Sequence, residues 1–343
     1  MIESIWYDST VSAVARGGVM SRFLPALLLF VAIFVGCGKP EGRPNRDKLL
    51  LAVIPKATSH EYWKSVHAGV VHGRDEAEVD VVWKGPLTEG DRETQINLVQ
   101  DFIAQGVDGI CLAPLDSQAL APVVREARQS GIPVLIFDSG LDDETNIVSF
   151  VATDNYRAGQ IAGRHLAELL MEKGRVIILR QAPGSQSAEQ REQGCIDVLT
   201  EEFPGIEIVS SSEYAGDTAD KALVKSQQLL QTFGDEFDGV FAASQHVSMG
   251  MLRALEEQGL AGNVKFVGID SGPQLLDALR AGKMHAIVLQ DPVGMGKAAV
   301  TTLASHLRGS QVPARVSTGE TLATRQNMER PEIRQLLEPE LYE

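Results

Sequence analysis

The 343-residue sequence is poor in cysteine and in basic residues, and it lacks the common catalytic motifs. Three cysteines are too few for a disulfide scaffold. The 31 Lys and Arg residues against 46 Asp and Glu residues give a net charge of −15, so the surface as a whole is unsuited to binding nucleic acid. No G-x-S-x-G elbow, C-x-x-C pair or P-loop is present. Because no nucleophile, base and orienting group occur together, we predict that the protein is not an enzyme and uses no cofactor.

Residues 1–36 have the layout of an export signal. The apolar run after Arg22 is shorter than the roughly 20 residues of a membrane-spanning helix and contains Pro25. Cys37 follows this run, which resembles the lipobox of bacterial lipoproteins, although Phe34 replaces the usual Leu. We predict lipidation of Cys37 and a tether over residues 37–47. We also predict a true start at Met20, because the residues before it include Glu3 and Asp8, which do not suit a signal peptide. An ordinary cleaved secretory signal with an incidental cysteine is the alternative.

From residue 49 onward, apolar runs alternate with helical patterns. The uninterrupted apolar run Leu49–Ile54 is typical of a strand buried on both faces of a sheet, and further strands are predicted at Val107–Leu112 and Val134–Phe137. A helix from Glu61 to Arg74 has Ser59 available as its N-cap. The alternation restarts after Asp154 and continues to Leu289. We therefore predict an α/β protein with two doubly wound parallel sheets of similar plan.

Polar and aromatic side chains stand where the predicted strands end. In doubly wound sheets the ligand crevice lies beyond the carboxyl ends of the strands. These ends carry residues 56–63, Asp138 with Ser139, residues 244–246, Asp270 and Gln290. Carboxylates and amides can bind hydroxyl groups, and Tyr62 and Trp63 offer flat apolar faces. The pattern favours a small polyhydroxylated ligand bound in one cleft between the two sheets.

Successive segments resemble the periplasmic sugar-binding proteins related to ribose-binding protein, which are type I periplasmic binding proteins. They include Val53-Ile54-Pro55-Lys56, Asp108-Gly109-Ile110, Gly131-Ile132-Pro133-Val134, Thr153-Asp154-Asn155, Arg191-Glu192-Gln193-Gly194, Val267-Gly268-Ile269-Asp270 and Leu289-Gln290-Asp291-Pro292. The resemblance covers nearly all of the chain after Lys48. It implies two lobes joined by a three-crossing hinge that closes around a ligand. The lobes are expected at 48–152 plus 291–320 and at 153–290 plus 321–343.

The same resemblance implies roles for particular residues. Tyr62 and Trp63 correspond to aromatics that stack on the sugar ring, Asp138 and Asp270 to carboxylates that hold ring hydroxyls, and Gln290 to a polar group at the hinge. Ser244 replaces an Asn that contacts ligand in ribose binders, and Arg191 matches a general family arginine. Ser139 and Glu189 stand where ribose binders have arginines, so we predict that D-ribose is not a tight ligand. Lys56, His60, Glu189 and His246 are expected to complete the polar complement, or else to be solvated loop residues.

The resemblance implies an extracytoplasmic, periplasmic and monomeric protein that delivers a small carbohydrate to an ABC permease with its ATPase subunit. It would contact the membrane through the lipid anchor only. The alternatives are presentation of the sugar to a membrane sensor, and the ligand-sensing core of a LacI-type repressor. A repressor needs an N-terminal helix-turn-helix, whereas this chain has an apolar secretory segment there.

Three further features are interpreted as structural. The segment Gly294-Met295-Gly296-Lys297-Ala298-Ala299 matches a dinucleotide fingerprint, but it lies near the wrong end of the chain and predicts a closely packed helix start. His67 and His72 have no carboxylate placed for metal binding, so we predict no metal site. Cys111 and Cys195 are expected to be buried thiols.

Overall fold

The computed structural model describes residues 47–145, 147–234 and 236–342. The predicted signal segment, Met20 as the start and the lipidation of Cys37 lie outside these residues, as does most of the tether. The strands are β1 (Leu50–Ile54), β2 (Asp80–Trp83), β3 (Gly109–Leu112), β4 (Val134–Phe137), β5 (Phe150–Ala152), β6 (Gly174–Leu179), β7 (Ile206–Ser210), β8 (Gly239–Ala242), β9 (Lys265–Ile269), β10 (Ala286–Leu289), β11 (Arg315–Ser317) and β12 (Thr321–Thr324). The helices are α1 (Glu61–Ala77), α2 (Arg92–Gln105), α3 (Ala121–Gln129), α4 (Asn155–Leu169), α5 (Gln186–Glu202), α6 (Ala219–Phe233), α7 (Gln245–Glu257), α8 (Pro273–Ala281), α9 (Pro292–Leu307) and α10 (Pro331–Leu337).

These strands form two six-stranded sheets with the same plan. The first has the order β11-β5-β4-β3-β1-β2 and the second β12-β10-β9-β8-β6-β7. The paired strands are parallel except for β10 and β12, which run antiparallel. Each sheet, together with the helices packed on it, forms one lobe. The prediction of two doubly wound α/β lobes is confirmed.

Each sheet is buried on both faces, which explains the uninterrupted apolar runs. Along β1, Leu51 and Val53 pack into one core cluster of the first lobe, and Ala52 and Ile54 pack into the other. Strand β6 divides its residues between two clusters of the second lobe in the same way. Successive side chains of a strand point to opposite faces, so a strand covered on both faces must be apolar at every position.

The chain passes between the sheets at three places. These are the segments from β5 to α4, from β10 to α9 and from β11 to β12. Helix α9 packs in the core of the first lobe, and α10 packs in that of the second. The boundaries of the lobes expected from the resemblance stay a prediction.

The last described residues, 338–342, return from the second lobe to the first and form what we call the tail. Ser271 Oγ, beside the second sheet, donates a hydrogen bond of 2.6 Å to Leu337 O at the end of α10. Beyond it, the Tyr342 N–H donates to Lys64 O on α1 at 3.1 Å. The Glu340 carboxylate lies 3.3 Å from the imidazole of His72, also on α1. The tail is therefore a further contact between the lobes.

The ends of two helices show a glycine cap at one and correct the predicted serine cap at the other. Gly106 ends α2 in the left-handed conformation with φ 61°, as a C-cap glycine should. Ser59 does not cap α1, because its hydroxyl donates to Leu87 O at 2.7 Å and His60 occupies the cap position. The loop before α1 is thus fastened to the loop after β2, and the prediction of a Ser59 cap is wrong.

The segment with the dinucleotide-like pattern is a closely packed helix start. A Cβ at Gly296 would lie 2.1 Å from Val66 O, so α9 and α1 touch through their backbones. The second lobe repeats this arrangement between α4 and α5. A Cβ at Gly159 would lie 2.0 Å from Arg191 O, and one at Gly163 would lie 3.0 Å from Cys195 O. The prediction of a closely packed helix start is confirmed.

We expect Gly159→Ala to lower the free energy of unfolding by about 2 kcal/mol, because overpacking a close contact costs about 1–3 kcal/mol. Gly163→Ala is the matched control, because Gly163 lies one turn away on the same helix and a Cβ there would lie farther from the facing backbone. The higher helix propensity of alanine should offset most of the strain at this position. Urea denaturation of both variants measures the difference. An equal or larger loss for Gly163→Ala would contradict this account of the packing.

The two cysteines in the described residues are buried thiols, as predicted. Cys111 and Cys195 are fully buried and unpaired, and burial raises the pKa of both well above the ordinary value. Across residues 47–342, apart from positions 146 and 235, no helix combines the length and apolarity needed to cross a bilayer.

Candidate functional site

A small polar cavity lies where the carboxyl ends of both sheets face each other. Its volume is about 30 Å³, far below the roughly 300–1,000 Å³ of ligand pockets. The predicted site residues that line it are Lys56, His60, Tyr62, Trp63, Asp138, Arg191, Ser244, His246, Asp270 and Gln290. Glu89, Gln181, Ser187 and Gln245 line it as well. Both lobes contribute to the wall, so a ligand larger than a few waters enters only when the lobes separate.

Asp138 and Asp270 occupy equivalent places in the two lobes. Asp138 follows β4 with φ 63°, and Asp270 follows β9 with φ 65°. Aspartate tolerates this left-handed conformation better than most residues, and here it turns a carboxylate into the cleft. Tyr62 donates its phenolic O–H to Asp138 at 2.8 Å, and the Gln290 amide donates to Asp270 at 2.8 Å. Each carboxylate keeps lone pairs for further donors such as sugar hydroxyls.

The buried cation nearest these carboxylates in the first lobe is Lys56. Its Nζ lies 3.1 Å from Asp138 Oδ2, with both side chains almost fully buried. The same ammonium donates to the hydroxyls of Ser185 and Ser187 at 3.1 and 3.0 Å. Those serines begin α5 in the second lobe. Lys56 therefore joins a carboxylate of one lobe to hydroxyls of the other.

Arg191 supplies the corresponding buried cation of the second lobe. Its guanidinium donates to Asn155 Oδ1 at 2.7 Å and to Ala243 O at 3.3 Å. Burial raises the pKa of Asp270, and the positive charge of Arg191 partly opposes that shift. Burial likewise raises the pKa of the Tyr62 phenol well above its ordinary value, reinforced by the charge of Asp138. Tyr62 therefore stays a neutral donor.

His60, Glu89 and His246 form a second polar group at the edge of the cavity. His60 Nδ1 lies 3.6 Å from Glu89 Oε1, and the two imidazole rings are 5.5 Å apart between centroids. Burial opposes protonation of His60, but the nearby Glu89 carboxylate raises its pKa above the ordinary value. Burial lowers the pKa of His246. Burial alone would raise the pKa of Glu89. The hydrogen bond with His60 and the neighbouring positive charges outweigh burial and lower this pKa strongly.

The two predicted aromatic residues differ in how deeply they are buried. Trp63 is 1% exposed and meets the Phe137 ring edge-on in the core of the first lobe. Its indole N–H donates to Glu89 Oε1 at 2.8 Å. Tyr62 is partly exposed and packs edge-on against Trp63 with centroids 5.1 Å apart. The predicted stacking of both rings on a sugar stays a prediction.

Two predicted residues do not line the cavity. Ser139 Oγ accepts a hydrogen bond of 3.1 Å from the Ser187 N–H, so it joins the lobes beside the site. Glu189 accepts the Gly184 N–H at 2.8 Å, which stabilises the first turn of α5. In this arrangement the Glu189 carboxylate is directed to that turn, and its expected part in ligand binding stays a prediction.

Two polar atoms at the cavity have no partner among the described residues. Ser244 Oγ and Gln290 Oε1 are buried and make no hydrogen bond to another described residue. An unpaired buried polar atom costs about 1–3 kcal/mol, which a bound molecule with hydroxyl groups would relieve. The cavity thus presents acceptors, fixed cations and free hydrogen-bonding groups in one small volume.

Sequence reasoning missed Glu89 and Gln181, which hydrogen-bond to each other across the cleft at 2.8 Å. Glu89 lies in the loop after β2, and Gln181 lies two residues after β6. The rule that ligands bind beyond the carboxyl ends of strands applies to these two strands as well. Gln181 follows β6 closely enough to be found by that rule, whereas Glu89 lies farther along the loop after β2 and has no such signal.

The sequence and the fold match known families and structures. The model of the periplasmic binding protein domain matches residues 51–311. The ribose import binding protein of Bacillus subtilis is 25% identical over 83% of this chain and 90% of its own length. The D-allose-binding periplasmic protein of Escherichia coli is 29% identical over 71% of this chain and 80% of its own length.

A solved structure matches along its entire length. It is the carbohydrate transporter solute binding protein from Agrobacterium radiobacter in complex with D-arabinose. It superposes with a TM-score of 0.82 at 32% identity, covering 86% of this chain and 100% of that protein.

Proposed function

Since this chain belongs to the periplasmic binding protein family, whose members are binding components of transport systems and not enzymes, we propose that it captures a small carbohydrate between its lobes and delivers it to an ABC importer. The ligand class is a monosaccharide or a polyol. The family resemblance and the absence of enzymatic activity expected from the sequence are confirmed by this membership. The three relatives are described as binding ribose, D-allose and D-arabinose.

One observation carries the proposal: each lobe presents a buried carboxylate and a buried cation to the same cavity. Asp138 with Lys56 comes from the first lobe, and Asp270 with Arg191 comes from the second. A polyhydroxylated ring can donate to the carboxylates of both lobes at once, and it can accept from the cations. The free energy of these contacts is gained only when the lobes are closed, so ligand binding favours closure.

The remaining parts of the proposal rest on the N-terminal sequence. Lipidation of Cys37 would hold the protein at the outer face of a membrane, with residues 37–47 as the tether. A periplasmic or other extracytoplasmic location follows from the family and from this signal-like segment. A monomer suffices for capture, because one chain supplies the cavity walls from both lobes.

We expect the protein to be stabilised by an aldose or polyol other than D-ribose. Ser139 and Glu189 replace two arginines of ribose binders, and neither supplies a guanidinium fork. A thermal-shift screen of aldoses, polyols and nucleosides tests this, because a ligand at 100 times its Kd stabilises the folded state by about 2.7 kcal/mol. Calorimetry then compares the best ligand with D-ribose.

Two results of these measurements would contradict part or all of this expectation. No shift with any aldose or polyol would overturn the carbohydrate proposal. Sub-micromolar affinity for D-ribose would overturn the exclusion of ribose while leaving the carbohydrate class intact.

A further inference from the structure

The polar group at the cavity edge brings three metal-binding side chains together. One ligand atom each from His60, Glu89 and His246 lies within 4.8 Å of the other two. His60 precedes α1 and Glu89 follows β2, both in the first lobe, whereas His246 lies in the first turn of α7 in the second lobe. Two imidazoles and one carboxylate form a ligand set that divalent transition metals favour.

One pair of these ligand atoms is already close to coordination distance. Two ligands about 2.1 Å from a tetrahedral Zn²⁺ ion lie about 3.4 Å apart. His60 Nδ1 and Glu89 Oε1 are separated by 3.6 Å. A shift of a few tenths of an ångström therefore brings this pair to coordination distance.

The surrounding hydrogen bonds orient the ligands as outer partners do in metal sites. His246 Nε2 lies 3.1 Å from Gly216 O, and because a carbonyl oxygen only accepts, Nε2 carries the proton and Nδ1 is bare. The two oxygens of Glu89 accept hydrogen bonds of 2.8 Å from Trp63 Nε1 and from Gln181 Nε2. Such partners fix ring tautomer and carboxylate orientation before an ion arrives.

We propose that His60, Glu89 and His246 bind a divalent transition-metal ion, with Zn²⁺ as the fitting probe, and that the ion bridges the two lobes. From the sequence no metal site was expected, because His67 and His72 have no carboxylate placed for metal binding. The proposed site is built from other residues. Three protein ligands leave a fourth position open for water or a ligand hydroxyl. Coordination needs neutral imidazoles, so any proton held by His60 is released to solvent on binding.

The proposal has a consequence for the lobes. His246 approaches the other two ligands only when the cleft is closed, so the ion binds the closed form more tightly than the open one. By linkage the ion must then raise the population of the closed form. This effect does not rest on the proposed carbohydrate function, because all three ligands belong to the protein.

The test is a metal titration of the full-length protein, free of any histidine tag and stripped with a chelator, in the absence of sugar. Calorimetry with Zn²⁺ should give one site, and Co²⁺ should give the visible absorption bands of a tetrahedral ion. His60→Gln, Glu89→Gln and His246→Gln should each weaken Zn²⁺ binding more than about tenfold. His72→Gln is the matched control, since His72 also lies beside a carboxylate, that of Glu340 at 3.3 Å, and should leave binding unchanged.

The outcomes separate this proposal from the carbohydrate function. Absence of visible Co²⁺ bands in the wild-type protein overturns the metal site whether or not the variants fold. Zn²⁺ affinity that is unchanged in the three variants, or lost in His72→Gln, overturns it as well. A sugar screen run with chelator present reports on carbohydrate binding alone, so either proposal can fail without the other.

Discussion

The variant Asp138→Asn is expected to unfold with a free energy about 3 kcal/mol below that of the wild-type protein, because it leaves a buried ammonium without its counter-charge. Lys56 and Asp138 form an ion pair of 3.1 Å in which the side chains are 3% and 4% exposed. Asparagine tolerates the left-handed backbone at this position and can still accept the Tyr62 hydrogen bond. The substitution thus removes the charge with little other change. Urea denaturation measures the loss.

A double-mutant cycle identifies the cause of that loss. Lys56→Met together with Asp138→Asn removes both charges, and we expect a coupling free energy of about 2 kcal/mol in favour of the double variant. Glu76→Gln is the control, because it breaks the exposed pair with Lys297 and should cost less than about 1 kcal/mol. If the effects of Lys56→Met and Asp138→Asn on the free energy of unfolding were additive, the ion pair would not explain the loss caused by Asp138→Asn.

The same variant should bind sugar about fivefold more weakly, because a hydrogen bond to a charged acceptor contributes roughly 1 kcal/mol more than one to a neutral acceptor. Calorimetry with the ligand found in the thermal-shift screen measures this. Unchanged affinity would mean that Asp138 holds the site together without touching the ligand.

The second large effect is a pH dependence centred on Glu192. This residue lies on α5 beside Arg191 and is 1% exposed. Burial raises its pKa to about 7, in spite of the hydrogen bond from the Gln181 N–H and the charge of Arg180. Since its ordinary pKa is 4.5, Glu192 binds its proton more tightly in the folded protein than in the unfolded chain.

The direction of the effect follows from this order of pKa values. Below about pH 4.5 the carboxyl is protonated in both states and contributes nothing. Between about pH 4.5 and 7 the folded protein holds the extra proton, so stability falls as pH rises. Above about pH 7 the penalty is complete and amounts to about 3 kcal/mol.

We therefore expect Glu192→Gln to be more stable than the wild-type protein at pH 8, with an advantage that fades toward pH 4.5. Glutamine can still accept the Gln181 N–H, so the backbone contact is kept. Urea denaturation across this pH range gives the difference between the two proteins, in which the other titrating groups cancel. Glu201→Gln, at an exposed position of the same helix, controls for the loss of one negative charge. A difference between wild type and Glu192→Gln that is constant with pH would contradict the raised pKa.

The central strands could be predicted from the sequence because burial on both faces leaves a strong signal. Strand β4 begins and ends where its apolar run does, at Val134 and Phe137. The edge strands β11 and β12 were missed, because they are short and only partly buried and so lack a long apolar run. Their positions are set by pairing with β5 and β10, which no local pattern reveals.

The site was predictable to the extent that it follows the ends of strands. Asp138, Asp270 and Gln290 were found by that rule, and they line the cavity. Glu189 was expected at the site because it stands where ribose binders have an arginine, but it lies in the first turn of α5, which begins at Gln186. Its carboxylate then lies where it can accept a backbone N–H of the first turn. The contact between Glu89 and Gln181 depends on how the lobes meet, which the sequence does not encode locally.

The contact between the tail and α1 sets the surroundings of a tryptophan side chain. The imidazole of His67 is stacked on Trp83 with centroids 4.4 Å apart, and the ring of Tyr342 covers it edge-on at the same distance. Separation of the lobes must either break the Tyr342 contact with α1 or lift α10 from the second sheet. If the contact with α1 breaks, the aromatic cluster around the Trp83 indole is uncovered and its fluorescence reports the opening. The chain thus carries, at some distance from its binding cavity, a built-in fluorophore whose surroundings depend on how the lobes are held together.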